Sequence, residues 1–160
     1  MFQRYSPRIV AYGEYIKSDL PKIVEASDWT ALKGSVIAEL NKKKGKIGPL
    51  YNGEAAMSLW AATYSETALT EKQKNMDARV AVLAEARGKL ESIALKGTGE
   101  GLKKTGGFFG IGASTEPPPP PAVLKKEAMA AVAAAKQAYN EYVDINNAGI
   151  PFEIRPLPAI

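Results

Sequence analysis

Histidine and cysteine are both missing from this sequence. Their absence removes the usual ligands for zinc and copper. It also removes the Ser-His and Cys-His pairs that activate most nucleophiles. No disulfide can form, so cysteine usage says nothing about the redox compartment. Carboxylate or lysine chemistry is what remains for an enzyme, and no specific pair points to it. No catalytic residue, cofactor or metal is therefore expected. Long apolar runs are missing too. None approaches the roughly 18–20 residues that span a bilayer, and the longest apolar-leaning stretch, Ala128 to Ala135, is short and alanine-rich. The opening MFQRYSPRIV has no apolar signal region and no small-residue cleavage site. That fits either a cytosolic protein or one whose targeting segment has been removed.

What is present is the composition of a globular chain. Of its 160 residues 46% are hydrophobic and 24% charged, too apolar for disorder and too charged for a membrane protein. A single domain over 1–160 can bury its own core. The net charge of +4 favours acidic partners but is low for a dedicated nucleic-acid binder. Neither nucleic acid nor a small-molecule substrate is an expected partner.

Hydrophobic periodicity is helical almost throughout. Ser6 and Pro7 suit a helix start, with Tyr5 stapling to Val10. Tyr5, Ile9, Tyr12, Ile16, Leu20 and Ile23 form one stripe, within which Pro21 predicts a kink or an end near Asp19. Ser27 or Asp28 caps a second helix with Trp29, Leu32, Val36, Ile37 and Leu40. A stretch over about 53–67 carries Ala56, Leu59, Trp60 and Tyr64 on one side. Thr70 to Gln73 reads as a capping box ahead of a helix with Met76, Val80, Leu83, Leu90 and Ile93, ended by Gly97. Residues of about 97–121 form a glycine- and proline-rich linker, whose five prolines make a stiff rod of roughly 15 Å. Its Gly-Thr-Gly-Glu-Gly start follows a helix and lacks the Gly-Lys-Ser/Thr ending of a phosphate loop. The last helix, about 122–148, is lined by Leu124, Ala128, Val132, Ala135, Tyr139, Tyr142 and Val143. An extended tail of about 149–160 follows. The expected fold is all-α: an antiparallel four-helix up-down bundle, with the two Trp-containing segments forming one arm.

Three irregular segments are candidate partner contacts. Lys42, Lys43, Lys44 and Lys46 crowd one loop, which is either a solvated turn or a contact for an acidic protein surface or anionic headgroups. Phe108 and Phe109 sit between glycines, either folded back on the bundle or anchoring a partner. The tail offers Phe152 and Arg155, with the same two readings. Pro117 to Pro121 acts as a spacer or as a ligand for a proline-binding domain.

The order and spacing of these features carry a resemblance. Tyr5-Ser6-Pro7 opens a long amphipathic helix, Asp28-Trp29 starts the second, and Tyr139-Asn-Glu-Tyr142 marks the last. With Gly106 to Gly112 and Gly149-Ile-Pro-Phe152, the chain resembles the PsbQ-like extrinsic subunits of algal photosystem II, in their red-lineage and diatom forms. The resemblance covers most of the chain. The lysine-glycine break and the proline run depart from the shorter cyanobacterial and green pattern. The resemblance implies a four-helix bundle imported into the chloroplast with its transit peptide removed. It implies a place in the thylakoid lumen, peripheral to the membrane. There the protein would shield and stabilise the oxygen-evolving complex and help retain its calcium and chloride. Partners would be lumenal loops of the core chlorophyll proteins and other extrinsic subunits. Two alternatives stay open: a related lumenal subunit of photosystem I, and a soluble helical adaptor that recruits partners through its proline run.

Overall fold

Steps of three and four residues from Ile9 through Tyr12 and Ile16 to Leu20 place one apolar stripe along a helix. In a computed structural model, which describes residues 2–36, 49–65, 68–100, 104–105, 114–115, 117, 119–149 and 156–160, that stripe belongs to an uninterrupted first arm. The arm consists of α1 (Phe2–Glu14), a π-helical turn (Tyr15–Asp19) and α2 (Leu20–Glu25). It starts at Phe2 and not at Ser6, with Pro7 inside α1. One proline one turn into a helix forfeits a single backbone bond, and the helix absorbs it.

Pro21 acts differently from expectation. Its ring would strike the carbonyl four residues back in an ordinary α turn. The chain widens instead, and the Leu20 N–H donates to the Tyr15 carbonyl, five residues back. Ser18 Oγ donates to the Glu14 carbonyl at 2.7 Å. The expected break near Asp19 is thus a π turn, and the helix continues beyond it. The extra residue in the turn shifts the register, so Val24 is fully buried where Ile23 was expected.

Ser27 takes a left-handed φ of 54°. Asp28 Oδ1 then accepts the Ala31 N–H at 2.9 Å, capping α3 (Trp29–Val36). Leu32 and Val36 are buried, while Ile37 and Leu40 lie outside the described residues. Helix α4 (Pro49–Ala61) runs into a 3₁₀ turn (Ala62–Tyr64). Trp60 is buried and its neighbour Leu59 is 51% exposed, so Leu59 faces outward and not into the expected stripe.

Thr70 caps α5 (Glu71–Gly97) by accepting the Gln73 N–H at 3.1 Å. The reciprocal half of the capping box runs through Ser65. Its hydroxyl bonds the Gln73 side chain and accepts the Thr70 N–H. All five expected core positions of α5 are buried. The last helix, α6 (Pro121–Asn147), starts with Pro121 in its first turn and is followed by Gly149 at φ 72°. Its whole predicted stripe is buried. Where no strand was expected, Lys104–Thr105 (β1) and Ser114–Thr115 (β2) pair antiparallel, Lys104 opposite Thr115.

The other regular elements among the described residues are all helical. Its packing forms a closed circuit: α1 on α4, α3 and α4 both on α5, α5 on α6, and α6 back onto α2 and the π turn. Glycines let aromatic rings sit directly on backbone at two of these contacts, α1 with α4 and α3 with α5, and where α6 meets α1. A Cβ on Gly53 would lie 2.2 Å from Tyr12 Cγ, one on Gly13 would lie 2.5 Å from Tyr139 Cζ, and one on Gly97 would lie 2.3 Å from Trp29 Cγ. Gly97, expected as the glycine beyond a helix end, is still helical; Gly99 takes the positive φ of 80°.

Ring seats and bare helical glycines should respond oppositely to alanine. Gly53→Ala drives a Cβ into the Tyr12 ring and should lower stability by about 2 kcal/mol, as overpacking does. Gly88, inside α5 with nothing within 4 Å of its would-be Cβ, should instead gain about 0.5–1 kcal/mol on Gly88→Ala from helix propensity. Urea denaturation of both variants checks the pair of signs.

Candidate functional site

The residues singled out as partner contacts, Lys42, Lys43, Lys44, Lys46, Phe108, Phe109, Phe152 and Arg155, all lie outside the described residues. The described surface offers other features.

The first is a groove along the seam of the two longest helices. Small side chains on α6 let α5 approach closely. They leave an open cleft of about 400 Å³ with Ala130, Ala131 and Ala134 on one wall and Val82, Ala86 and Ile93 on the other. Charges of both signs edge it: Glu85 and Lys89 from α5, Lys96 further along, and Glu127 from α6. Lys89 Nζ lies 2.8 Å from Glu85 Oε1, and its hydrogen bond lowers the Glu85 carboxyl from its ordinary range. The cleft is open, mostly apolar in its lining and walled by the two longest helices. That suits contact with another macromolecule more than capture of a small molecule.

The second is a polar cluster at the C-terminal end of α6. Asn146 is fully buried. Its Oδ1 accepts from Trp60 Nε1 at 2.6 Å and from the Tyr64 hydroxyl at 2.9 Å. Lys72 Nζ donates to the carbonyls of Asn146 and Ala148, both at 2.8 Å, and stands 4.3 Å from the Tyr64 ring centroid. A cation on the last carbonyls of a helix satisfies acceptors that have no intrahelical donor and complements the dipole. Burial lowers the Lys72 ammonium from its ordinary value.

The third is the tail. Residues 156–160 run in extended form beside α6, held by two asparagines. Asn147 accepts the Leu157 N–H at 2.9 Å and donates to the Leu157 carbonyl at 2.8 Å. Asn140 does the same for Ile160, at 2.8 and 2.9 Å. Leu157 is buried. The Tyr139 hydroxyl lies 3.3 Å from the Ile9 carbonyl and 3.4 Å from that of Pro158, and burial pushes that phenol up to about 12. A space of about 460 Å³ opens beside the tail, bordered by Ser6 and Val10 of α1 and by Pro156 to Pro158. Sequence reasoning did not pick out Asn140 or Asn147. The one available signal is their separation of seven positions, which puts them on one helical face.

The fourth is an ion pair in the interior. Arg87 Nε reaches both oxygens of Glu54, at 3.1 and 2.9 Å. Glu54 is almost wholly buried. The Arg87 guanidinium also stacks 5.4 Å from the Tyr51 ring centroid. Burial pushes the Glu54 carboxyl up, with Arg87 opposing, and desolvation together with Glu54 pushes the Tyr12 phenol well up. Neither cavity described above is lined by Glu54, Arg87 or Tyr12. Their arrangement joins α4 to α5. Among the described residues no three acidic side chains come together to hold a metal ion. None of the described helices is long and apolar enough to cross a membrane.

No family model matches this chain, and neither a curated protein nor a solved structure is significantly similar to it.

Removing Arg87 should expose the character of the interior pair. Arg87→Met leaves a buried carboxylate without its counter-ion and should cost about 3 kcal/mol at pH 7. A carboxyl whose folded pKa is raised contributes its full stability below its unfolded value and loses it as the pH climbs through the folded one. The variant's deficit relative to wild type should therefore be largest at pH 7 and shrink as the pH falls toward 4. Urea midpoints at the two pH values read this directly.

Proposed function

We propose that this chain is a non-catalytic docking protein, an extrinsic subunit on the lumenal face of photosystem II that stabilises and shields the oxygen-evolving complex. The observation that carries docking over catalysis is the placement of the chemistry. The titratable side chains pushed furthest from their ordinary values, Tyr12, Tyr139 and Tyr142, are core groups. The open groove between α5 and α6 is floored by alanine, valine and isoleucine. A rigid surface of this kind presents a fixed shape to a partner, and the net charge of +4 steers it toward an acidic assembly.

The photosystem assignment rests on the family resemblance in the sequence. In this reading the first arm, α3 with α4, α5 and α6 are the four arms of an up-down bundle. The closed packing circuit supports that arrangement, as does the placement of α3 and α4 along the same helix, α5. Attachment is peripheral, on the lumenal side of the thylakoid membrane, through loops of the core chlorophyll proteins and other extrinsic subunits. The adaptor reading loses support from the proline run itself. Pro120 accepts backbone bonds from Val123 and Leu124 at the start of α6, so the end of the run is spent on starting a helix.

A salt-wash and add-back series on native thylakoid membranes tests this. About 1 M salt shortens the screening length to about 3 Å and should release the protein, with oxygen evolution falling and recovering when it is returned. A variant with Ala130→Arg and Ala134→Arg, two exposed positions on the groove wall, should keep its helicity and rebind about tenfold more weakly, a loss of about 1.4 kcal/mol. Release without any change in oxygen evolution would move the assignment to photosystem I. Absence from the membrane fraction would end the photosystem reading altogether.

A further inference from the structure

The grip of α6 on residues 157–160 differs from ordinary side-chain packing. A helix has no free backbone donors or acceptors along its side, because each is spent within the helix. An extended segment lying against it would normally leave its own N–H and C=O groups to water. Here two side-chain amides stand in for the edge of a strand. Each offers one acceptor and one donor to a single residue of the tail, the pattern by which a sheet edge takes an added strand. Asn147 holds both backbone groups of Leu157, and Asn140 holds both of Ile160.

The spacing makes the match possible. Seven residues of α-helix rise about 10.5 Å, and three residues of extended chain cover about 10 Å. Asparagines seven apart on a helix thus meet residues three apart on a strand running the other way. The residues between fit the same scheme. Pro158 has no N–H to leave unpaired, and its carbonyl is the one beside the Tyr139 hydroxyl. Pro156 and Pro158 bias the segment toward extended conformations before it docks, which lowers the entropy lost on binding. Side-chain selection is confined to Leu157, 5% exposed, and to Ile160, which packs partly against the core. Ala159 is exposed.

The geometry points to a peptide-binding strip on α6, formed by Asn140, Asn147 and the Tyr139 hydroxyl, that takes an extended Leu-Pro-small-aliphatic segment. In this chain the strip is filled by its own residues 157–160. The tail is a ligand bound in cis, and the same segment supplied by a second copy of this chain can replace it. Recognition runs mainly through the peptide backbone, so exchange needs no change in the helical core. The inference does not depend on the photosystem reading.

The test uses the full-length chain and a fluorescein-labelled peptide, Gly-Gly-Arg-Pro-Leu-Pro-Ala-Ile, followed by anisotropy. A tethered tail competes at an effective concentration in the millimolar range, so wild-type protein should bind the peptide weakly. Leu157→Asp weakens the tail without touching the strip and should bind the peptide about tenfold more tightly than wild type. Adding Asn140→Leu and Asn147→Leu to that variant should abolish the gain. A Leu157→Asp protein that binds no better than wild type overturns the inference, and so does a triple variant that binds as well as the single one. Should Leu157→Asp fail to fold by circular dichroism, the Asn140→Leu/Asn147→Leu protein decides by hydrogen exchange. Loss of protection at the Leu157 and Ile160 amides with α6 still protected supports a separable tail. Joint loss of protection in the tail and α6 refutes it.

Discussion

Three aromatic rings seated on glycine backbone set the distances at which the arms of this protein meet. Tyr12 on Gly53 brings the first arm against α4, Tyr139 on Gly13 brings α6 against the first arm, and Trp29 on Gly97 brings α3 against α5. Each seat buries a large apolar face while letting the neighbouring backbone come closer than any side chain would allow. Tyr12 and Tyr139 also face each other at a centroid distance of 6.1 Å and a tilt of 55°. Two of the three seats therefore share one junction. The remaining core fills in around them: the alanine-rich face of α6 follows the same logic of close approach, and the groove beside it is what that approach leaves open.

Polar groups close the ends of this framework. The buried amide of Asn146 serves Trp60 and Tyr64, and Lys72 holds the last carbonyls of α6. Tyr15 and Ser35 join the π turn to α3, with the Ser35 hydroxyl reaching the Ala31 carbonyl in turn. Buried polar groups satisfied in this way specify which partners meet, because any other pairing would leave a donor or acceptor without its bond. The tail belongs to the same end of the molecule. Asn146 donates to Asn147 Oδ1, which in turn accepts from Leu157, so the polar cluster and the tail seat form one continuous network.

Much of this was legible because it is local. The Asp28 and Thr70 caps, the inward stripe of α5 and that of α6 follow from spacing and residue type over a few turns. Val24 in place of Ile23 was not legible, because a π turn moves the stripe by one residue and leaves no mark in composition. Gly97 looked like a helix stop, and only the fold brings Trp29 onto it. Ser65 completing the Thr70 cap came from outside the four-residue motif. For the site the gap is wider. Lysine clustering and a Phe-Phe pair among glycines stand out by contrast with their surroundings, and they drew the eye to segments outside the described residues. Asparagines on a helix stand out from nothing. Their meaning depends on a tail that returns along the helix from beyond its end, and periodicity within the helix carries no trace of that return.

The π turn in the first arm links two positions that a simple helix would leave independent. It contains one residue more than the α turn it replaces. Viewed as a line of descent, the arm behaves as a helix that has accepted a single-residue insertion and kept it. Deleting that residue would restore a plain α turn and leave the later residues on their faces, Val24 included, but it would force the Pro21 ring onto the carbonyl four residues back. Replacing Pro21 alone would remove the reason for the wide turn while leaving the apolar stripe set for it. A plain α turn at this point would therefore need the extra residue and the proline removed together.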